Sequence, residues 1–430
     1  MIMTEIGSRK ACPHPAFWFC CFLVLLSSYP VYSQEAGDET VDVPSESEQR
    51  ELQAEEDPLK IEEAERELER ELDEEKLSVE TENPWSAEFY ASLRLRYRSR
   101  DSEADLEDGS SRLGLSGDWH NSEGIYVLGR YETGFNLLDG LEGLADAGET
   151  AEEFKDSFFT RLAYLGVDAP GYQVIAGKNW SPYYAVAGLT DRFMGTGGTA
   201  SGTFNAQTDG GPTGTGRAEN VLQGKFNVDF LPNRLFKPFE LDIQLQGGNR
   251  IPFADGPSYE YAAGFSAMLA TQNDFNIGIA YNHASIDLAA DPQLRQIGID
   301  GDAQAFIIGT RAFGDRWYAG LTYSILKDHE TTNDGIYFDG YGSEFYGQVQ
   351  LSDRFWLVGG YNYLTPFSDE DQAGKYRVKF GVLGFRYTFD KFRRMFYGNM
   401  EINDSTNRDG TRVSNVYTVG IRWDVTPWKR

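Results

Sequence analysis

Alternation of apolar and polar residues with a period of two recurs from Trp85 to the end of the chain. The stretch SLRLRYRSR (92–100) shows it most clearly, because arginines at positions 94, 96, 98 and 100 alternate with Leu93, Leu95, Tyr97 and Ser99. An extended strand places successive side chains on opposite faces, so this run has one arginine face and one largely apolar face. About sixteen such runs of roughly ten residues are separated by Gly, Asn, Asp and Pro turns.

Repeated amphipathic strands can build either soluble sandwiches or one closed barrel. A sandwich protein of this length would need two or three domains, and no linkers between domains are visible from Trp85 on. A signal peptide, a mature chain without cysteine, aromatic strand ends and an even strand count favour a barrel in the outer membrane. In lipid every backbone polar group must be paired internally, so repeated strands imply closure. We therefore predict an all-β fold over residues 85–430: a 16-stranded antiparallel transmembrane barrel with its apolar parity toward lipid and its polar parity toward a lumen.

The first 33 residues have the features of a secretory signal peptide. Arg9 and Lys10 precede an apolar core, AFWFCCFLVLL (16–26), and VYS (31–33) ends as a cleavage site before Gln34. A membrane anchor is the alternative, but the apolar stretch is short for a span. All three cysteines (Cys12, Cys20 and Cys21) lie in this segment, so the mature chain is predicted to contain no disulfide and no cysteine-based metal site.

Residues 34–84 form a separate acidic segment. From Gln34 to Trp85 the chain carries 21 acidic and five basic side chains, a net charge of −16 of the total of −28. Residues 57–77 (DPLKIEEAERELERELDEEKL) are predicted to be either a short coiled coil or docking helix in the periplasm, or a solvated, partly helical linker. No basic patch indicates a nucleic-acid partner.

The C-terminal stretch TVGIRWDV (418–425) resembles the recognition signal of outer-membrane barrels. Thr418 and Gly420 share one parity, and Trp423 and Val425 share the other. The resemblance implies that the barrel-assembly machinery is a partner. The chain departs from the pattern by continuing with TPWKR, so Trp428 is an alternative anchor at the membrane interface.

Five motifs in order along the chain resemble the general diffusion porins of the Gram-negative outer membrane. They are SSRLGLSGDW (from 110), GRYETGFN (from 129), FTRLAYLGV (from 159), AGKNWSPYYAVAGLTDRF (from 176) and GRAENVLQGKFN (from 216). The resemblance runs with gaps from about residue 89 to 425 and excludes the acidic segment. It implies a homotrimer of barrels in outer-membrane lipid and lipopolysaccharide, each barrel a channel for ions and small hydrophilic solutes.

The same resemblance implies a pore constriction. A third long loop, about 179–216, would fold inward, and its carboxylate would face basic side chains of the barrel wall. The basic residues would be Arg112, Arg161 and Arg217, with Arg130 and Glu132 as neighbours on the lumen side. Asp191 in GLTDRF is the best match for the loop acid. The family's second loop carboxylate is replaced here by Gly195, and Asp209 is a possible substitute.

The arginines of the opening stretch suggest two further readings of the barrel. Arg94, Arg96 and Arg98, here called the arginine ladder, are predicted to line the lumen on the approach to the constriction. Such a ladder also fits a phosphate-selective channel, and a row of aromatic residues would fit a sugar-selective one. These substrate-selective channels are the main alternative.

An enzyme is a more remote alternative. His283 and Ser285 lie two residues apart on one strand, as in outer-membrane phospholipase, but no orienting partner or oxyanion site is recognisable in the sequence. The sequence predicts a non-enzymatic channel without cofactor or metal.

Overall fold

The computed structural model describes residues 84–101, 103–138, 158–232, 234–254, 256–289, 291–390 and 393–429. The predicted signal peptide and the predicted coiled coil or linker at 57–77 lie outside the described residues. So does the side chain of Trp428.

Seventeen strands within these ranges form one antiparallel sheet. The first nine are Trp85–Arg100 (β1), Glu103–Asp108 (β2), Arg112–His120 (β3), Tyr126–Phe135 (β4), Phe158–Ala169 (β5), Tyr172–Trp180 (β6), Arg217–Val228 (β7), Phe239–Gly247 (β8) and Tyr261–Ala270 (β9). The remaining eight are Phe275–Ala284 (β10), Ala303–Gly314 (β11), Trp317–Thr331 (β12), Tyr337–Ser352 (β13), Phe355–Pro366 (β14), Val378–Asp390 (β15), Arg394–Asn403 (β16) and Val416–Lys429 (β17). Helical structure in the described ranges includes α1 (Pro182–Ala187) and 3₁₀ turns at Asn205–Gln207 and Pro292–Ile297.

The sheet closes because β1 also pairs with β17, in a register running from Glu88↔Lys429 to Arg100↔Val416. β2 and β3 lie end to end along β1, which pairs with β2 through residues 95–100 and with β3 through residues 85–92. The two short strands therefore share one position in the wall. The result is the predicted 16-stranded closed barrel.

A β-bulge separates β2 from β3. Leu93 and Arg94 of β1 stand opposite three residues, 109–111, so the second strand carries one extra residue. The Arg94 N–H donates to Ser111 Oγ at 2.9 Å, and the Arg94 carbonyl accepts from the Gly109 N–H at 2.8 Å. Both backbone polar groups of Arg94 are thus satisfied where the regular ladder stops.

The two parities of the strands have opposite environments, as expected for a barrel in lipid. Large apolar side chains at alternate positions are exposed on the outside, including Leu115, Trp119, Val127, Tyr131 and Ile325. Side chains of the other parity face the interior and are mainly polar or glycine, as Glu132, Thr322, Glu344 and Asn362 are. Among the described residues, no helix combines the length and the apolar character that a membrane-spanning helix needs.

The largest described apolar cluster lies inside the barrel, between the wall and the long connection 181–216. Tyr183, Val186 and Leu189 of this connection pack with Ala280, Ala305, Ile307 and Leu326 of β10–β12. A second cluster fills the space among the connections at the end of the barrel where this loop begins, and includes Ile251, Tyr259, Leu294, Ile299 and Tyr337. The interior is therefore partly filled by the chain itself.

Candidate functional site: a loop and a basic wall inside the barrel

The connection between β6 and β7, here called the 181–216 loop, lies within the predicted bounds 179–216. Its two ends are held together at the wall, because the Ser181 N–H donates to the Gly216 carbonyl at 2.9 Å and Ser181 Oγ donates to the Thr215 carbonyl at 2.7 Å. Ser181 also caps α1 by accepting from the Tyr184 N–H at 3.0 Å. Pro182 occupies the first turn, where its missing N–H costs no helical hydrogen bond.

Inward side chains of the far wall hold the middle of this loop. Glu344 of β13 accepts from Thr190 Oγ1 and from the Ala200 N–H, both at 2.7 Å, and is 1% exposed. Tyr318 Oη of β12 donates to the Leu189 carbonyl at 2.7 Å, and Thr196 Oγ1 donates to Glu401 of β16 at 2.7 Å. The loop therefore crosses the lumen along β12, β13 and β16.

Glycine makes the close approach possible at one point on β13. A methyl group added at Gly342 would overlap the carbonyl oxygen of Ala200. Ser324 of β12 donates to the same carbonyl at 3.0 Å, so the loop backbone lies directly on the wall. The path of the loop thus depends on a missing side chain as well as on polar contacts.

The opposite wall carries a group of charges centred on one carboxylate. Glu132 of β4 lies 2.7 Å from Arg161 of β5, 3.4 Å from Arg130 and 3.8 Å from Arg112 of β3. Tyr90 of β1 completes the group, since its hydroxyl donates to Glu132 at 2.7 Å. We call these five residues the Glu132 cluster. The structure brings together the predicted Arg112, Arg130, Arg161 and Glu132.

Arg217 belongs to a neighbouring group rather than to the Glu132 cluster. Its Nε lies 3.2 Å from Asp209 of the 181–216 loop, and its guanidinium lies 5.6 Å from the Trp180 ring. Lys178 of β6 lies 3.3 Å from Asp209 and 2.5 Å from Glu219. The residue considered as a substitute loop acid, Asp209, is therefore the one that meets a predicted wall arginine.

Asp191 has a different partner from the one expected for a constriction acid. It accepts a hydrogen bond from the Tyr184 hydroxyl at 3.1 Å. None of the ion pairs among the described residues joins Asp191 to Arg112, Arg161 or Arg217. Burial raises the pKa of the Asp191 carboxyl above its ordinary value of 3.8, against the lowering effects of the Tyr184 hydrogen bond and the Arg217 charge.

The arginine ladder lines the interior beside the tip of the loop. A Cβ at Gly195 would lie 3.6 Å from Nη1 of Arg96, which puts this arginine beside the loop tip. Arg96 pairs with Glu107 at 2.9 Å, whereas Arg94 Nε donates to Ser92 Oγ at 2.8 Å. Of the ladder, Arg96 therefore lies next to the 181–216 loop.

Sequence reasoning missed three side chains of this region. Tyr90 shares the parity of Arg94 and Arg96 on β1, so the alternation could have found it. Lys178 lies within one of the quoted motifs, AGKNWSPYYAVAGLTDRF, but was not singled out. Glu344 is one of two acids in a Gly- and Tyr-rich strand, the other being Asp339, and nothing in the sequence marks its carboxylate as the anchor of a distant loop.

The remaining predicted positions lie elsewhere on the barrel. On β17, Thr418 is buried on the inner side, and Trp423 is exposed on the outside. Gly420 lies against the Tyr397 ring, and Val425 pairs with Ala91. These contacts belong to the strand that closes the barrel, and the assembly signal stays a prediction.

The two residues of the enzyme alternative are bound separately. His283 Nε2 lies 3.0 Å from Asp302, and Ser285 Oγ donates to Glu260 at 2.8 Å. Within the described ranges, no group of three or more His, Cys, Asp or Glu side chains is arranged to hold a metal ion.

Comparison with solved structures shows the porin fold. Salmonella typhi OmpF, solved in complex with daunomycin, has a TM-score of 0.63 and 17% identity, covering 79% of this chain and 97% of that one. The anion-selective porin from Comamonas acidovorans has a TM-score of 0.55 and 14% identity, covering 79% and 100%. OmpT, an outer membrane protein of Vibrio cholerae, has a TM-score of 0.55 and 16% identity, covering 80% and 99%. No family model and no curated protein matches this sequence.

Proposed function

We propose that this chain forms a water-filled channel in the outer membrane for passive diffusion of ions and small hydrophilic solutes. The observation that carries the proposal is the 181–216 loop, which lies inside a closed barrel and crosses the lumen opposite the Glu132 cluster. A loop in this position narrows the passage through the barrel. The porin fold of OmpF and of the anion-selective porin supports the same reading.

The channel is proposed to have a charged constriction. Arg112, Arg130, Arg161 and Arg217 supply its basic side, and Glu132, Asp209 and Asp191 supply acids on the wall and on the loop. Charged groups lining a narrow pore set ion selectivity and orient dipolar solutes. Because Glu132 neutralises part of the basic wall from within, the field across the lumen depends on the wall as much as on the loop.

The assembly of the protein is proposed on the same basis. Residues 1–33 would direct export, 34–84 would lie in the periplasm, and the β17 pattern would be read by the barrel-assembly machinery. The exposed apolar side chains outside the barrel would contact outer-membrane lipid, lipopolysaccharide and neighbouring subunits of a homotrimer.

Planar-bilayer recording of the purified protein tests the channel. We expect discrete conductance steps that grow with KCl concentration, with closing steps of one third of the unit if three pores open together. Liposomes containing the protein should also swell in isotonic solutions of small sugars. Folded protein that gives neither conductance nor swelling would contradict the proposal.

Two alternative functions predict different outcomes. A substrate-selective channel would differ by conducting poorly in KCl even before its solute, phosphate or maltose, is added. A phospholipase would release fatty acid from mixed micelles, with or without calcium, and Ser285→Ala would abolish the release. The separate partners of His283 and Ser285 favour the non-enzymatic reading.

A further inference from the structure

Arg94 differs from its charged neighbours in having no carboxylate partner among the described residues. Arg96 pairs with Glu107, Arg112 with Glu132, and Arg422 with Asp424 at 2.6 Å. The Nε of Arg94 donates to the Ser92 hydroxyl, and its Nη2 is buried and has no hydrogen-bond partner. A buried guanidinium N–H without a partner is costly, because the group has lost water and gained nothing in return.

Two of the neighbours of Arg94 are themselves arginines. Arg94 stands directly opposite Arg422 in the β1–β17 register, and Ser92, two residues away on the same face, stands opposite Arg112 of β3. Arg112 and Arg422 repel Arg94, and the Asp424 carboxylate offsets this repulsion only in part. Three guanidinium groups from three adjacent strands thus converge on one patch of the lumen wall.

The bulge between β2 and β3 holds this patch in place. Ser111 Oγ and the Gly109 N–H bind the backbone of Arg94, and the Ser111 carbonyl accepts from the Phe135 N–H at 3.0 Å. Ser92 holds the side chain through Nε, and the buried Nη2 is the donor that is left without a partner. The donor is therefore preorganised by hydrogen bonds on both backbone and side chain.

We propose that Arg94, flanked by Arg112 and Arg422, is a binding site for a small oxyanion such as inorganic phosphate on the lumen wall. A planar guanidinium suits a tetrahedral oxyanion because its parallel N–H groups bond two oxygens at once. Arg98 continues the site along β1: its Nε is also buried without a partner, and it lies on the same face about 13 Å away. The proposal rests on the channel function and adds a solute class to it.

Block of chloride current by phosphate tests the site. Single channels of the wild type, Arg94→Gln, Arg94→Lys and Arg316→Gln are recorded in KCl while inorganic phosphate is added at constant ionic strength. Arg316 is the matched control because it lies in a turn with its side chain 61% exposed, so its loss removes one charge far from the lumen patch. Arg96→Gln separates a specific site from general lumen charge.

We expect phosphate to block the wild type and Arg316→Gln alike, and to block Arg94→Gln about tenfold more weakly, as for the loss of a charge-assisted pair. Arg94→Lys should fall between, because lysine keeps the charge and loses the paired N–H groups. Arg96→Gln should weaken the block less than Arg94→Gln does.

Conducting wild-type channels that phosphate does not block would overturn the oxyanion site and leave the channel function standing. Equal effects of Arg94→Gln and Arg96→Gln would also overturn it, because diffuse lumen charge would then explain the block. If the wild type does not conduct, the proposed channel function is wrong. The oxyanion site is then tested separately, by calorimetric measurement of phosphate binding. Phosphate binding to the detergent-solubilised wild type, lost in Arg94→Gln and kept in Arg316→Gln, would support the site, and its absence from the wild type would overturn it.

Discussion

Glu132 Oε1 lies 2.7 Å from Arg161 Nε, and the two side chains are only 4% and 9% exposed. This pair places a carboxylate among the arginines of the wall, on an adjacent strand rather than on the loop that faces them. The basic side of the proposed constriction is thus partly compensated without any contribution from the 181–216 loop. Four other side chains contact Glu132, at distances from 2.7 to 3.8 Å. A substitution at this position therefore tests the whole cluster.

Replacing Glu132 by glutamine should both destabilise the barrel and raise its anion selectivity. The change leaves Arg161 and Arg112 without their shared carboxylate, and we expect a cost of about 1 to 3 kcal/mol in the free energy of unfolding. Urea unfolding in detergent and reversal potentials in a KCl gradient measure the two effects. Glu240→Gln removes the same charge from a more exposed pair with Lys225 and should cost less than about 1 kcal/mol. Equal effects of the two substitutions would contradict the role given to the cluster.

Gly342→Ala should displace the 181–216 loop from the wall. The added methyl group would overlap the Ala200 carbonyl, and relieving such overpacking costs about 1 to 3 kcal/mol. Single-channel conductance should rise or become noisy as the loop moves. Gly359→Ala on β14 is the control, because its new methyl group would meet only the Val382 carbonyl oxygen at 3.6 Å. An unchanged conductance in a folded Gly342→Ala channel would mean that the loop does not narrow the pore.

Truncating Glu344 to alanine should loosen the same loop by a different route. The substitution removes the acceptor of the Thr190 hydroxyl and of the Ala200 N–H, leaving a buried backbone donor unpaired at about 1 to 3 kcal/mol. We expect more frequent transitions between conductance levels. Glu370→Ala in the 367–377 connection removes a carboxylate of the same size and should leave the gating pattern as in the wild type. If the two variants gate alike, Glu344 is not an anchor of the loop.

Asp191→Asn should stabilise the barrel relative to the wild type, and this difference in the free energy of unfolding should grow as the pH rises. Since the folded-state pKa of Asp191 is raised, the folded protein holds this proton more tightly than the unfolded chain does. Ionisation therefore begins to cost stability above the unfolded value near 3.8, and the cost is complete above the folded pKa. Asparagine can still accept from Tyr184 without this cost. Unfolding of both proteins at about pH 3.5 and about pH 7 should show the difference growing with pH; a difference that shrinks would refute the assignment.

Local alternation predicted the amphipathic strands, but it is compatible with a soluble sandwich as well as with a barrel. The signal-peptide features, the even strand count and the absence of domain linkers favoured the barrel. The alternation also predicted that Arg130 and Glu132 are neighbours, since they share a parity on one strand. It did not predict the bulge at residues 109–111, where apolar and polar residues alternate too weakly to mark an extra residue. Only the fold shows that the second strand of the wall is interrupted beside Arg94.

The pairing of acidic with basic side chains in the lumen could not be predicted from the sequence. Asp191 and Asp209 lie on one loop, and the loop's path decides which of them reaches Arg217. That path is set by Glu344, Gly342 and Glu401, which lie more than a hundred residues further along the chain. Motif order located the loop well, but contacts at such separations leave no local pattern.

Pairing of β1 with β17 sets the order in which the molecule can be completed. Arg100 pairs with Val416 and Glu88 pairs with Lys429. The backbone N–H and C=O groups on that edge of β1 therefore stay unpaired until β17 is in place. Until then β1 and β16 each present an open row of N–H and C=O groups, which invites pairing with other chains. A truncation before Val416 would therefore leave an open sheet with two unpaired, aggregation-prone edges, and it would not give a smaller closed barrel. The 14 residues of β17 close the barrel.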